Sequence, residues 1–466
     1  MMEIMLAKFK KKYIGDWDFY QKYLLLAIPM ILQNAITNLV SFLDNIMVGQ
    51  LGTEQMSGVA IVNQLIFVYN LAIFGAVSAA SIFGAQYFGK GNHKGHMYSF
   101  RFKLYATLLV TGGAILLFLT KGSALISLYL TDTVGNGATD LALQYGLEYL
   151  AIMMVGLIPF AVNQSYATNI KETGQTFIPM LASFVAVGTN AILDYLMIFG
   201  IGPFPELGVQ GAALATVIAR YIEALIVVIW AHIHRGKNRY LEGAYTGFGI
   251  PLAELKAILI KGFPLMMNEV LWAAGMTTVT QCYSVRGLDV VAGLNIASTI
   301  TNLFNIVYLQ LGSCISIVVG QYLGAGKLED AKDADNKMIV FSVFCCVIMA
   351  ALMFVVGGFF PGIYNTTEEI RELATSFIAV SAIIMPFCAF SHASYFTLRS
   401  GGKTVVTFLF DSVFTWVIVV PAAYLLAHFT GLGIVSIYFL VQGTELIKVI
   451  IGYLMVKSNV WVVQMV

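Results

Sequence analysis

Apolar residues fall along this chain in twelve long blocks, approximately 23–48, 57–85, 102–120, 144–167, 176–200, 210–233, 257–284, 290–322, 338–360, 374–398, 404–427 and 434–456. About 20 such residues are needed for an α-helix to cross a hydrocarbon layer ~30 Å thick. The stretches between blocks are short, and the longest, 234–256, is polar and carries glycines. The pattern predicts an all-α integral membrane protein with twelve transmembrane helices. Residues 1–22 read as a cytoplasmic N-terminal segment, 23–233 as a first lobe of six helices, 234–256 as a cytoplasmic linker and 257–466 as a second lobe.

The first block breaks its own rule. Between Pro29 and Gly52, residues Asn34, Thr37, Asn38, Ser41, Asp44 and Asn45 share one side of a 3.6-residue helix, with Ile, Leu, Val and Phe opposite. A carboxylate inside a bilayer costs about 2.5–3.5 kcal/mol on insertion scales. Asp44 is therefore expected to face a wet cavity and to bind the ion or proton that drives the protein.

Lys and Arg set the orientation. Twelve spans put most of them on one side, and only Lys121, Arg286 and Arg371 on the other. Positive charge accumulates on the cytoplasmic side, so both termini and the linker are expected there.

The chain also repeats itself. Gly84-Ala-Gln-Tyr-Phe-Gly-Lys-Gly91 returns as Val319-Gly-Gln-Tyr-Leu-Gly-Ala-Gly326, pairing Gln86 with Gln321 at an offset of 235 residues. The same offset pairs Pro29 with Pro264, Asn34 with Glu269 and Asn70 with Asn305. Further on it shrinks to 227, pairing Pro159 with Pro386 and Gly174 with Gly401. Six spans per repeat is an even number, so both repeats insert the same way. Two pseudo-symmetric six-helix lobes in parallel orientation, flanking a central cavity, are expected.

Composition narrows the function. Hydrophobic residues make up 59% and charged residues 11% of the 466, and mean hydropathy is +0.81; a soluble domain carries about 25% charged residues. A net charge of +1 gives no reason to expect a nucleic-acid partner. The five cysteines lie in apolar runs without ligand-like spacing and read as small buried hydrophobes. The N-terminus has no signal-peptide core. The near match to a phosphate-binding loop at Gly84–Lys90 lacks the following Ser or Thr and ends a hydrophobic helix, so ATP is not expected as the energy source. Six scattered histidines offer no site for a membrane enzyme.

The ionisable residues inside spans are Asp44, Asp194, Arg220, Glu223, Glu269, Asp411, Glu445 and Lys448. Arg220 with Glu223, and Glu445 with Lys448, have i,i+3 spacing suited to mutual neutralisation. Asp194 has Asn190 one turn before it. With Asp44 and a hydroxyl such as Thr216, these two suit a hard-oxygen site for Na⁺ or a shared proton; they equally suit hydrogen bonding between helices. Glu269 and Asp411 read as a substrate-cation or second proton site. The amide faces bearing Asn34, Asn38, Asn305 and Gln321 read as cavity lining or helix glue. Pro29 removes a backbone hydrogen bond from the first helix and is the expected hinge.

Taken together, Pro29 with Asp44 fifteen residues on, DNIMVGQLG, GAQYFGKGN, NAILDYLMIFG at 190–200, GVQGAALATV at 208–217, GQYLGAGK and YFTLRSGGKT cover essentially the whole chain. In these motifs the chain resembles the multidrug and toxic compound extrusion (MATE) transporters. That resemblance implies a non-enzymatic antiporter of the cell membrane that exports amphipathic, often cationic compounds in exchange for H⁺ or Na⁺, working as a monomer without cofactor or ATP. It implies an ion site at Asp44, Asn190, Asp194 and Thr216, and it places an acid of the seventh helix at Glu269. Some members carry a further acid on the tenth helix. MPFCAFSHASYFTLR has none here, which directs coupling to the first lobe. The alternative within the superfamily is a flippase for lipid-linked intermediates, which calls for a basic cavity, whereas the internal residues here are acidic and amide-rich.

Overall fold

The computed structural model describes residues 12–130, 138–247 and 249–466, together with the backbone but not the side chains of 40–42 and the helical position 138. Residues 1–11 of the N-terminal segment lie outside the described residues. Among the described residues there is no strand, and twelve helices are long and apolar enough to cross a membrane.

In chain order these are α1 (Trp17–Gly49), α2 (Thr53–Lys90), α3 (His93–Ser127), α4 (Ala138–Glu172), α5 (Phe177–Ile198) and α6 (Val209–Ile233). After a 3₁₀ turn at Arg239–Leu241 come α7 (Leu252–Ser284), α8 (Leu288–Gly324), α9 (Leu328–Gly357) and α10 (Glu368–Ser400). The last two are α11 (Thr404–Phe429) and α12 (Ile434–Lys457). Leu109, Leu119 and Phe354 are among the large apolar side chains that point outward. Helices apolar on all faces do this where hydrocarbon replaces water.

The helices gather into two compact units. One comprises Leu32–Gly84 and His93–Lys256; the other comprises residues up to Ile31, Ala85–Asn92 and Ala257–Val466. In the first unit Ile66, Ile73, Leu157, Ala213 and Val217 build the core. Gly243, Ala244 and Gly249 of the linker are held there by Arg101 of α3, which donates to the carbonyls of Ala244 (2.9 Å), Gly249 (2.8 Å) and Gly243 (2.6 Å). The linker is thus docked, not loose. Lys103 of α3 is fully buried and pairs with Glu172 of α4 at 2.5 Å. A Cβ on Gly84 would lie 2.0 Å from that carboxylate, so the first glycine of the repeated motif makes room for a buried ion pair.

In the second unit Phe304, Met353, Phe377 and Met385 form one core, and Tyr23, Met30, Leu311, Cys314 and Trp461 another. The repeated motifs meet here. A Cβ on Gly89 would lie 2.0 Å from the carbonyl oxygen of Gln321, and one on Gly324 would lie 1.9 Å from that of Gln86. Gly89 and Gly324 are equivalent by the 235-residue offset, as are Gln86 and Gln321, so the contact is reciprocal, as a two-fold contact must be. Small residues four apart, Ala85 with Gly89 and Gly320 with Gly324, let the backbones of α2 and α8 touch. Gln86 then donates to the carbonyls of Ser400 (2.9 Å) and Val463 (3.2 Å) and accepts from the Met465 amide (2.8 Å).

This crossing is testable by thermal melting. Gly89→Ala and Gly324→Ala should each destabilise the purified protein, by about 1–3 kcal/mol as for other overpacked sites. The double variant should be less destabilised than the sum, because separating one pair of helices relieves both clashes.

Candidate functional site

The first unit assembles a site from α1, α5 and α6. Close approach of α5 and α6 comes from small buried residues, Ala182 and Ala186 on one and Ala212, Ala215 and Ala219 on the other. At the end of α5 the fit is tightest, since a Cβ on Gly211 would lie 2.6 Å from the Met197 carbonyl oxygen. Asp194, 1% exposed, and Asn190, 6% exposed, stand one turn apart on the face so enclosed. The Asn190 amide donates to Asp194 Oδ2 at 2.9 Å and to Thr216 Oγ1 of α6 at 3.4 Å.

Half-buried Asp44 of α1 reaches this cluster, and its carboxyl lies within hydrogen-bonding reach of Asp194. Asp44 Oδ1 and Asp194 Oδ1 are both buried, and neither accepts a hydrogen bond from a protein donor. Two neighbouring carboxyls, each with a buried oxygen that lacks a donor, can be satisfied by one shared proton or one small cation. The four residues expected to act together are brought together. Their donor set of two carboxylates, an amide and a hydroxyl suits Na⁺ as well as H⁺.

Other expected residues are placed differently. Arg220 and Glu223 do not pair. The Arg220 guanidinium lies over the Phe160 ring at 5.1 Å and reaches the Gly156 carbonyl at 3.4 Å, while Glu223 accepts from the Ser183 hydroxyl. Spacing of i,i+3 permits contact along one helix, but a partner on a neighbouring helix wins here. The same correction holds for Glu445 and Lys448. Lys448 of α12 instead pairs with Asp411 of α11 at 2.6 Å, leaving Glu445 Oε1 buried without a donor.

Asp411 lies in a π-helical turn, Leu409–Val413, followed by another at Thr415–Val419. Such turns loosen the i→i−4 ladder. Asn268 of α7 uses the opening: its amide donates to Asp411 Oδ2 at 3.0 Å, and its oxygen accepts from the Ser412 amide at 3.3 Å and hydroxyl at 2.8 Å. Glu269, next in the chain, is half-buried, and its charged neighbours are Arg399 of α10 and Asp411. Asn268, Ser412 and Lys448 escaped sequence reasoning; the adjacency of Asn268 to Glu269, and of Ser412 to Asp411, was the available signal.

The amide faces are only partly inward. Asn38 is exposed and donates to the Asn34 carbonyl at 2.8 Å. Asn34, Asn305 and Gln321 are half-buried, and Pro29 is buried within α1.

Comparison with known proteins agrees with this architecture. A protein described as probable multidrug resistance protein NorM from Thermotoga maritima is 23% identical over 413 residues, covering 88% of this chain and 86% of the relative. Another of that description from Halalkalibacterium halodurans is 24% identical, covering 88% of each. Among solved structures, a MOP superfamily transporter from Pyrococcus furiosus superposes with a TM-score of 0.84 at 20% identity over 96% of each chain. An outward-facing multidrug resistance MATE family transporter of that superfamily gives 0.85, also at 20% identity and 96% of each chain. At such identity these structures establish the fold. The family model MatE matches twice, at residues 29–196 and 264–425, and its two starts are separated by the offset that pairs Pro29 with Pro264. Covering well over half of the chain in two copies, that match makes this protein a member of the MatE family.

Proposed function

We propose that this protein exports amphipathic, often cationic compounds in exchange for H⁺ or Na⁺ bound between Asp44 and Asp194. The observation that carries the reading is the meeting of those two carboxyls beside Asn190 and Thr216, with a buried oxygen of each left without a donor. The names of the curated relatives support multidrug export as the activity.

The physical logic is exclusion by shared charge. Two carboxylates held together in a partly desolvated site repel, so one proton or cation stabilises the arrangement that brings α1 onto α5. Releasing it favours a different arrangement of α1. The boundary between the two compact units cuts α1 at Ile31 and Leu32, just after Pro29. Pro29 leaves a backbone carbonyl without its helical donor, which makes this the soft point of the helix. If ion and substrate favour opposite arrangements, each lowers the affinity for the other, and antiport follows. Both termini and the linker lie in the cytoplasm on this reading, as the Lys and Arg distribution requires.

Glu269 supplies the negative charge for cationic substrates, because a buried acid offsets part of a cation's desolvation. The test is efflux from proteoliposomes of fluorescent cations and of neutral analogues, with a pH gradient or a Na⁺ gradient imposed separately. One gradient alone should drive export. Glu269→Gln should slow efflux of cations at least several-fold more than that of neutral compounds. Export under neither gradient overturns the proposal.

A further inference from the structure

The second unit buries an acid that meets no cation. Asp335 of α9 stands in the charged opening of that helix, residues 328–337, yet it is 1% exposed. It forms no ion pair among the described residues; on the same helix Lys332 pairs with Glu329 and Lys337 with Asp333. Its surroundings are apolar. Ala331, Ala334 and Met338, on the same face of α9, share one core with Ala393 and Leu398 of α10 and with Trp461. The titratable groups around that core are directed elsewhere. Tyr23 of α1 donates its hydroxyl to the Leu311 carbonyl at 2.8 Å, Cys314 of α8 lies 3.5 Å from Met30 Sδ, and the Arg399 guanidinium of α10 lies over the Phe396 ring at 5.6 Å. Cys345 and Cys346 lie ten or more residues further along α9, about 15 Å of helix.

The hydrogen bonds of Asp335 indicate where a proton sits. Asp335 Oδ1 lies 2.5 Å from Thr397 Oγ1 of α10, and Thr397 Oγ1 lies 3.0 Å from the Ala393 carbonyl oxygen one turn back. A hydroxyl has one hydrogen to donate. The carbonyl can only accept, so that hydrogen goes to Ala393. Thr111, Thr168 and Thr277 likewise donate to the carbonyl four residues back. Two oxygens 2.5 Å apart still need a proton between them, and only the acid is left to supply it. Asp335 Oδ2, moreover, is buried and accepts no hydrogen bond. An ionised carboxylate with one oxygen bare in an apolar core is far costlier than the neutral acid.

The first unit builds the equivalent joint differently. There α3 and α4 correspond to α9 and α10 in the repeat, and the Lys103 ammonium donates to Glu172 at 2.5 Å and Asn169 at 3.2 Å. The 235-residue offset places Met338 where the first unit has Lys103, and the later offset of 227 places Arg399 where it has Glu172. With methionine at the lysine position, no tethered ammonium is set there against the acid of α9.

We infer that Asp335 is a proton-binding site of the second unit: as the neutral acid it donates to Thr397 and latches the charged end of α9 to α10, and loss of the proton undoes the latch. The site is independent of the Asp44–Asp194 pair and of what the protein exports, so either reading can fail alone.

The test is infrared spectroscopy of the purified full chain in nanodiscs near neutral pH, read at the C=O stretch of protonated carboxyls. The wild type should show a band that is missing in Asp335→Asn and kept in Asp44→Asn. Thr397→Val removes the acceptor but not the acid, and should move that band to higher frequency without abolishing it. Melting supplies a second readout with a definite sign. Above the ordinary carboxylate range the folded chain holds a proton that the unfolded chain has lost, so stability falls as pH rises. Until Asp335 ionises in the folded chain, the wild type should lose up to about tenfold in folding equilibrium constant per pH unit relative to Asp335→Asn. Should Asp335→Asn fail to fold, the band shift in Thr397→Val decides alone. The inference is overturned if Asp335→Asn lacks no carboxylic-acid band, if Thr397→Val shifts none, or if the stability difference is flat or runs the other way with pH.

Discussion

Asp44→Asn should insert, fold and bind substrate, yet lose gradient-driven export by roughly one to two orders of magnitude, the span of coupling energies of ~1–3 kcal/mol. The amide keeps the volume and hydrogen-bonding reach of the acid, so α1 can still approach α5. What it removes is the ability to share a proton or hold a cation against Asp194, whose Oδ1 has no protein donor. Asp194→Asn should behave alike, although it also disturbs the 2.9 Å contact from Asn190. The double variant should be no worse than either single, because both remove one site. The decisive readout is substrate affinity measured with and without the coupling ion. In the wild type each weakens the other; in Asp44→Asn the two should be independent. Wild-type export by Asp44→Asn under either gradient would make Asp44 a structural residue.

Much of this site was legible from the residue types. A carboxylate in an apolar block is costly enough to single out Asp44, and the one-turn spacing of Asn190 and Asp194 puts both on one face of α5. Spacing cannot tell that α1 lies against that face, because the contact joins residues 150 positions apart. The pairings along one helix show the converse limit. Arg220 with Glu223 and Glu445 with Lys448 satisfy the i,i+3 rule, yet each charge found a partner across helices or none. In a low-dielectric interior the best-directed partner prevails over the nearest in sequence. The π turns around Asp411 also left no mark, since no glycine or proline lies between Thr404 and Val420. What accompanies them is tertiary: the Ser412 amide and hydroxyl both donate to the Asn268 oxygen of another helix. By contrast, the repeat read from Gln86 and Gln321 carried over directly, because small residues at equivalent positions are a steric requirement of the crossing they build.

The other large effect concerns Lys448. Lys448→Met should destabilise the protein by about 3–5 kcal/mol, the cost of leaving a buried charge without its partner. Asp411 would keep only the Asn268 amide as a donor from another helix, with Glu445 adding like charge nearby. Asp411→Asn should be milder. Its loss strands the ammonium, but Glu445 is one turn away on α12 with a buried oxygen lacking a donor, so Lys448 has a second acid to turn to. Combining Lys448→Met with Asp411→Asn removes both charges and should restore most of the melting temperature lost in Lys448→Met. The same double variant separates two roles for Asp411. An acid whose charge is already neutralised by a tethered lysine is not available to a substrate cation or a travelling proton. The refolded double variant should therefore export at more than about half the wild-type rate, since a structural pair is replaceable by neutral groups of similar volume. A double variant that regains its melting temperature but not its export would instead place Asp411 in the transport cycle, with Lys448 as the group that releases it.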